Sequence, residues 1–289
     1  MDRASSGRGA LGAAVGIAVL LGAAMGPSQP GWSRCTAPPH TEIFTGIVYG
    51  CEVLQRTAEG RGIVHWLRID LSAPGIELYV TPLDTSAVRQ GWQYRLRSIG
   101  DVVEEERLSV AINAAMFTST PRWRPRLPGD LASGVETLVS NHAVSHLWEH
   151  TYLLWFDDKL NPHLRPSKPP TPAELQAAKW GIGGQGVWLH RGQVWPGSDR
   201  NPDARTAVAI DPDRKFLFLA VAQWISPRLL LEKLAGIGAG EGMLLDGGGS
   251  SAMASGQGGQ GISPGTLFGG SRPVATYFGV RARPVARLD

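Results

Sequence analysis

Met243-Leu244-Leu245-Asp246-Gly247-Gly248-Gly249-Ser250-Ser251 decides the reading of this chain. The apolar run predicts a buried strand that ends by delivering one carboxylate, Asp246, to the rim of a site. The three glycines that follow allow positive φ angles and close approach of the backbone to a ligand. Successive N–H groups in such a turn can form a concave anion cradle, and two serine hydroxyls stand directly behind it. A carboxylate beside an anion cradle suits chemistry on a phosphorylated sugar. A glycine run is also an ordinary turn signal, so the weight of the reading rests on what accompanies it.

The chain has 289 residues, 43% of them hydrophobic, enough for one domain with a substantial core. Its 28 basic and 25 acidic residues are interspersed. This is not the concentrated basic face that nucleic-acid binding requires, and no nucleic-acid partner is expected. The 37 glycines and 21 prolines imply many turns and a sheet-rich fold.

Arg3 and Arg8 precede the uncharged run from Ala10 to Met25, which closes on the small residues Gly22, Ala23 and Ala24. Residues 1–25 therefore read as a signal peptide or N-terminal anchor, 26–40 as a linker and 41–289 as the folded domain. The run is short for a membrane span, which needs about 20 residues. Membrane contact is expected only there, if it stays uncleaved, and the working protein is expected to be secreted or periplasmic. In such an oxidising compartment Cys35 and Cys51 could pair, with two free thiols as the alternative.

Strands are predicted at Glu42–Tyr49, Gly62–Leu71, Ile76–Thr81, Leu108–Asn113, Thr151–Phe156, Val187–His190, Thr206–Ile210, Phe216–Val221 and Val274–Arg281, where residues alternate or run apolar and β-branched. Leu96–Glu106 and Pro172–Lys179 read as short helices, the second capped near Thr171. Ser226-Pro227 opens another, with proline at its first position. Residues 117–130 form a Pro- and Arg-rich loop, and 161–170 an irregular one. The fold class expected is α+β: a single domain of mixed β-sheets with a few short helices.

Four segments place a polar residue at a strand end: Ala111 to Phe117 with Asn113, Asp203 to Val208 with Arg205, Leu245 to Ser251 with Asp246, and Arg272 to Ala275 with Arg272. Strand ends are rigid platforms, and two guanidinium groups offer paired donors to phosphate oxygens. In these segments the chain resembles the phosphodiester glycosidase family. That family shows an Ile-Asn-Gly-Gly-Phe-Phe-like segment, Arg-Thr-Ala, Leu-Asp-Gly-Gly-Gly-Ser-Ser and Arg-Pro-Val-Ala, in this order and at similar spacing. The resemblance covers roughly residues 46–280. It departs at Ala114-Ala115, where the family has Gly-Gly and where a Cβ would oppose close approach or a positive φ. It departs again after Trp224, where many relatives carry Asp-Gly-Arg.

The resemblance implies an exported hydrolase of a sugar phosphodiester or related glycosidic bond. Its chemistry is coherent with the residues. A departing phosphate monoester is a good leaving group, so its protonation matters less than in ordinary glycoside hydrolysis, which uses two carboxylates. The site needs cations on the phosphate and an anion near the developing oxocarbenium ion. Arg205 and Arg272, with Gly247, Gly248, Gly249, Ser250 and Ser251, fit the first role. Asp246 fits the second, electrostatically or as a base toward water. Asn113 would orient sugar hydroxyls or phosphate oxygens. Glu104, Asp130 and Glu136 are candidates for a second carboxylate. No cofactor is required; a divalent cation near Asp246 is compatible, but no ligand cluster argues for one.

Two rivals stand beside this reading. A non-catalytic binder of anionic envelope glycans would keep the arginines and glycines and tolerate loss of Asp246; Ala114-Ala115 favours it. His146-Leu147-Trp148-Glu149-His150 has the H-x-x-E-H spacing of a zinc protease, with His142 as a third nitrogen. Neighbouring Val139, Val144 and the strand near Thr151 oppose the helix this would need. Ten tryptophans are many for the length. Aromatic faces stack on sugars, though core packing is the commoner fate. Trp123, among Arg122, Arg124 and Arg126, sits on a basic loop that could line a phosphate- or polyanion-bearing cleft, although a solvated basic loop is the commoner reading.

Overall fold

The computed structural model describes Cys35 and residues 40–121, 123–145, 152–164, 170–195 and 201–286. Residues 1–34, on which the export reading rests, lie outside these, as does the His146–His150 motif. The described chain is mostly β, in four sheets with four short helices.

An eight-stranded sheet runs in the order Thr41–Phe44, Ile47–Leu54, Gly60–Asp70, Phe216–Ile225, Asp203–Ile210, Glu241–Leu244, Val187–His190, Gln193–Val194. A five-stranded sheet runs Gly265–Gly269, Ala252–Ser255, Val110–Asn113, Tyr277–Arg281, Glu77–Val80. A second five-stranded sheet contains Ala143–Val144, Leu138–Ser140, Trp180–Gly184, Tyr152–Phe156 and Pro162–Leu164. Tyr94–Arg95, Leu131–Gly134 and Phe117–Ser119 make a small three-stranded one. Every described strand pairing is antiparallel. The expectation of mixed sheets is corrected accordingly. Successive strands joined by short turns, such as Asp203–Ile210 and Phe216–Ile225, can pair only antiparallel.

Alternation along the long strands sets the layers. One face of the eight-stranded sheet, with Ala207, Ala209, Phe218, Ala220 and Ala222, receives Leu230, Leu231 and Leu234 of the helix Pro227–Gly236. Four alanines there let the helix lie close. Ser226 caps that helix by accepting from Leu229 N–H at 3.1 Å, with Pro227 at its first position, as expected. The opposite face, with Ile47, Tyr49, Leu67, Ile69, Val208 and Leu219, packs against Val110, Ile112, Met253, Phe278 and Val280 of the first five-stranded sheet. This sandwich is the main core.

Local differences from the sequence reading have local causes. The predicted strand Glu42–Tyr49 is a hairpin, turning at Thr45-Gly46 with Gly46 at φ +79°. Part of the expected irregular stretch after Asn161 is a strand, Pro162–Leu164, on the edge of its sheet, where proline's missing N–H is tolerated. Thr171 and Glu174 form a reciprocal capping box on the helix Pro172–Ala177.

Cys35 and Cys51 are joined in a disulfide, with Cα atoms 5.6 Å apart and a sequence separation of 16. It ties the start of the described chain to the second strand of the large sheet and fits an oxidising compartment. No helix among the described residues is long and apolar enough to cross a membrane. In the chain-entropy picture a loop of this length stabilises by about 3 kcal/mol. Reduction, or Cys35→Ser with Cys51→Ser, should therefore lower the thermal midpoint by about 6–12 °C in a calorimetric scan.

His65 is fully buried and shares a 2.7 Å hydrogen bond between its Nδ1 and the Tyr49 hydroxyl. Burial holds its pKa down at about 4, against 6.5 for a free histidine. Below pH 6.5 the unfolded chain takes up this proton and the folded chain does not, so stability is lost as pH falls from 6.5 toward 4. Denaturant titrations at pH 7 and pH 4.5 should show a smaller difference for His65→Gln than for the parent protein.

Candidate active site

The Asp246 backbone is held before its carboxylate is considered. Val110–Asn113 belongs to the five-stranded sheet and Asp203–Ile210 to the eight-stranded one. At the junction, Asn113 donates through Nδ2 to the Asp246 carbonyl at 2.7 Å. Its Oδ1 accepts from the Thr206 hydroxyl at 2.7 Å and from the Ala252 N–H at 3.0 Å. Thr206 in turn lies 3.1 Å from the Ser251 hydroxyl. Asn113 is 1% exposed. Sequence reading aimed its amide at a substrate; the structure aims it at the polypeptide, where it locks the strand end that bears Asp246.

Asp246 N–H donates to the Ala114 carbonyl at 3.1 Å, and Leu245 N–H to the Thr206 carbonyl at 2.9 Å. Ala114 and Ala115 are buried, and neither has a positive φ. Their methyl groups are therefore accommodated, and the backbone approach that the family's glycines would allow is made here with alanine.

The glycine turn is a short 3₁₀ turn over Gly248–Ser250. Only Gly248 takes a positive φ, +59°, so the expectation for all three glycines is corrected. The other two are needed for space. A Cβ on Gly247 would sit 3.0 Å from the Ala204 carbonyl, and one on Gly249 would sit 3.1 Å from the Arg272 Nη1. The N–H groups of Ser250 and Ser251 close the turn onto the Gly247 and Gly248 carbonyls at 3.2 and 3.1 Å. The amide cradle expected of the turn is correspondingly smaller. Arg205 and Arg272 nonetheless flank it. Arg205 Nη1 lies 3.6 Å from the Gly247 Cβ position, while its Nη2 donates to the Asn201 carbonyl at 2.8 Å.

A second carboxylate faces this corner. Glu136, 4% exposed, accepts from Met116 N–H through Oε2 at 2.5 Å. Its Oε1 is buried with no hydrogen-bond partner among the described residues. Burial pushes its pKa up to about 7; the Met116 N–H opposes this, and the Asp246 charge adds to it. Burial also raises Asp246. The Ser250 hydroxyl, the Gly247 N–H and the Arg126 charge pull it back. Asp246 thus has three groups favouring its ionised form and Glu136 has one. Of the other candidates, Asp130 is bound by both terminal nitrogens of Arg124, at 2.7 and 3.0 Å. Glu104 lines a separate 560 Å³ cavity beside the helix Ile99–Glu105 that contains none of Asp246, Arg205 or Arg272.

The seat of this pair comes from a tandem that sequence reading passed over. Gly183 and Gly184 end a strand of the second five-stranded sheet. A Cβ on Gly183 would lie 2.7 Å from Glu136 Cβ, and one on Gly184 would lie 2.6 Å from the Leu244 carbonyl. The next residue, Gln185, donates to the Leu245 carbonyl at 3.1 Å. Paired glycines at a strand end were the available signal. Arg126 was noticed only as part of a basic loop. His142 lies in a turn at φ +65°, 3.4 Å from Asp158. No cluster of three metal-ligating side chains occurs among the described residues.

Solved structures share this architecture. The chain superposes on the catalytic domain of zebrafish N-acetylglucosamine-1-phosphodiester alpha-N-acetylglucosaminidase, auto-inhibited by its pro-peptide, with a TM-score of 0.60 and 12% identity, covering 86% of this chain and 87% of that one. A hypothetical protein from Synechocystis gives 0.59 and 15%, covering 86% of this chain and 65% of that one, so this chain spans less than two thirds of that protein. A putative exported protein from Burkholderia pseudomallei K96243 gives 0.52 and 13%, covering 76% of this chain and 74% of that one. At these identities the likeness establishes the fold. No curated protein matches the sequence. The family model for phosphodiester glycosidases, however, matches residues 106–281, more than half of the chain, across all four strand-end segments and Glu136. The chain belongs to the phosphodiester glycosidase family.

Proposed function

We propose that this protein is an exported hydrolase that cleaves the bond between a sugar and a phosphodiester, with Asp246 and Glu136 as its carboxylates. The observation that carries the reading is the juxtaposition of buried Glu136, whose pKa burial pushes up to about 7, with half-buried Asp246, whose burial-driven rise is opposed by Ser250, Gly247 and Arg126, beside an arginine-lined corner. Paired carboxyl groups in unlike environments can divide acid and base roles between them.

In this reading the anomeric C–O bond breaks and its electron pair leaves with the phosphate. Arg272 and Arg205 hold that phosphate as charge gathers on it. Ionised Asp246 stabilises the oxocarbenium ion or takes the proton of the water that forms the new C–O bond. Neutral Glu136 supplies a proton toward the departing oxygen or the sugar. Asn113 acts as a positioning residue through the Asp246 carbonyl, and Ser250 through the Asp246 carboxylate. The disulfide and the Ala10–Met25 segment support export. The glycan-binding rival keeps every arginine but needs no acid at position 246.

Asp246→Asn should fold as the parent does and lose about 10²- to 10⁴-fold in kcat on a sugar-1-phosphodiester panel. Unchanged turnover would remove Asp246 from the mechanism; no turnover by either protein with retained binding would leave the glycan binder. Glu136 makes a pH prediction. Its folded pKa, about 7, lies above the ordinary 4.5, so it is neutral below 7 and ionises above. Activity that uses the neutral form should fall as pH rises through 7. The Glu136→Gln variant should lose that alkaline limb and show a lower, flatter profile.

A further inference from the structure

Two cavities meet at a pair of arginines beside the site. One, of about 290 Å³, lies between the strand Phe117–Ser119 and the loop after it. The other, of about 420 Å³, lies between that loop and Ser271–Pro273. Arg124 and Arg126 line both. The two arginines are not equivalent. Arg124 is committed to Asp130 through Nη1 and Nη2, and Asp130 also receives the Leu127 N–H at 2.8 Å, so this pair fixes the loop. Arg126 is steadied from its stem: Nε donates to the Ser119 hydroxyl at 2.9 Å, and its plane lies 4.4 Å over the Phe117 ring. No described residue holds its terminal nitrogens. Across the second cavity stands Arg272, whose Nη1 reaches the glycine turn. The inner end of the groove is therefore cationic, and it is close enough to Asp246 for the Arg126 charge to act there.

Apolar groups accompany these cations. Pro121 and Pro125 line the cavities, and the same loop presents Trp123, 83% exposed, and Leu127, 50% exposed, to solvent. Large exposed apolar side chains next to a cationic pocket fit an amphiphile with a single anionic head.

We infer that this groove is a leaving-group subsite: Arg126 and Arg272 clasp the phosphate, and the alcohol esterified to it is a hydrocarbon that runs outward over Trp123 and Leu127. The inference rests on the hydrolase reading above and adds to it the class of substrate, a sugar phosphodiester of an apolar alcohol. Arg126 is the residue that selects phosphate, and Trp123 and Leu127 select the alcohol.

Binding tests the subsite without turnover. Hexyl phosphate, methyl phosphate and uncharged hexyl glucoside are titrated calorimetrically into the intact, disulfide-bonded protein. Hexyl phosphate should bind about tenfold or more tighter than methyl phosphate, since buried methylenes each contribute, and hexyl glucoside should bind weakly or not at all. Arg126→Met should weaken both phosphates about 10- to 100-fold, as expected for a lost charge-assisted bond, and Arg126→Lys should recover part of that. The double change Trp123→Ser with Leu127→Ser, on an exposed surface, should erase the hexyl preference and leave methyl phosphate unchanged. Equal binding of hexyl and methyl phosphate, hexyl glucoside binding as tightly as hexyl phosphate, or parental affinity in folded Arg126→Met would each overturn the subsite. Loss of the hydrolase reading shows separately, as selective hexyl phosphate binding in a protein that turns over no sugar phosphodiester.

Discussion

One buried amide bolts the two halves of the sandwich together. Asn113 stands in one sheet, accepts from Thr206 in the other, and donates to the Asp246 carbonyl where the second sheet ends. Ala252, in the strand beside Asn113, supplies the third bond. An amide so enclosed strengthens its bonds through the low local dielectric, and any lost partner would leave a costly orphan. The network therefore has essentially one satisfied arrangement. That is why the Asp246 strand end can serve as a fixed platform although loops and turns lie all around it.

The second constraint is steric. Glu136 and the Leu244–Leu245 strand end come together only because Gly183 and Gly184 have no side chains. The glycine turn after Asp246 works the same way, with Gly247 and Gly249 making room for the Ala204 backbone and for Arg272. Of its glycines, only Gly248 is there for its dihedral angle. Close packing without side chains encloses this corner, and the resulting burial shifts both carboxyl groups upward.

Sequence legibility followed the range of the forces involved. Local chemistry was readable: the Ser226-Pro227 helix start, the Thr171 cap and most apolar strands fell where the pattern placed them. The strands Leu131–Gly134, Trp180–Gly184 and Ala252–Ser255 are dominated by glycine, alanine and serine, with Ile182 their one β-branched residue, so their β character comes mainly from neighbouring strands and less from propensity. Antiparallel pairing throughout, and the orientation of Asn113, depend on contacts between residues far apart in the chain, such as Asn113 with Thr206, which no local pattern encodes. The order of the four strand-end segments was legible. Glu136 was only one of three candidate acids until the fold placed it against Asp246, while Arg124 took up Asp130 and Glu104 fell to another surface.

The Arg124–Asp130 fork has a kinetic meaning. A basic, proline-studded loop of this kind would normally surrender its freedom at the moment a ligand arrives, and that ordering would subtract from affinity. Here the fork, together with the Leu127 amide on the same carboxylate, fastens the loop during folding. On the proposed reading, a visiting anion would meet guanidinium groups already in position, so encounter would need no rearrangement and long-range attraction alone could govern how fast capture occurs.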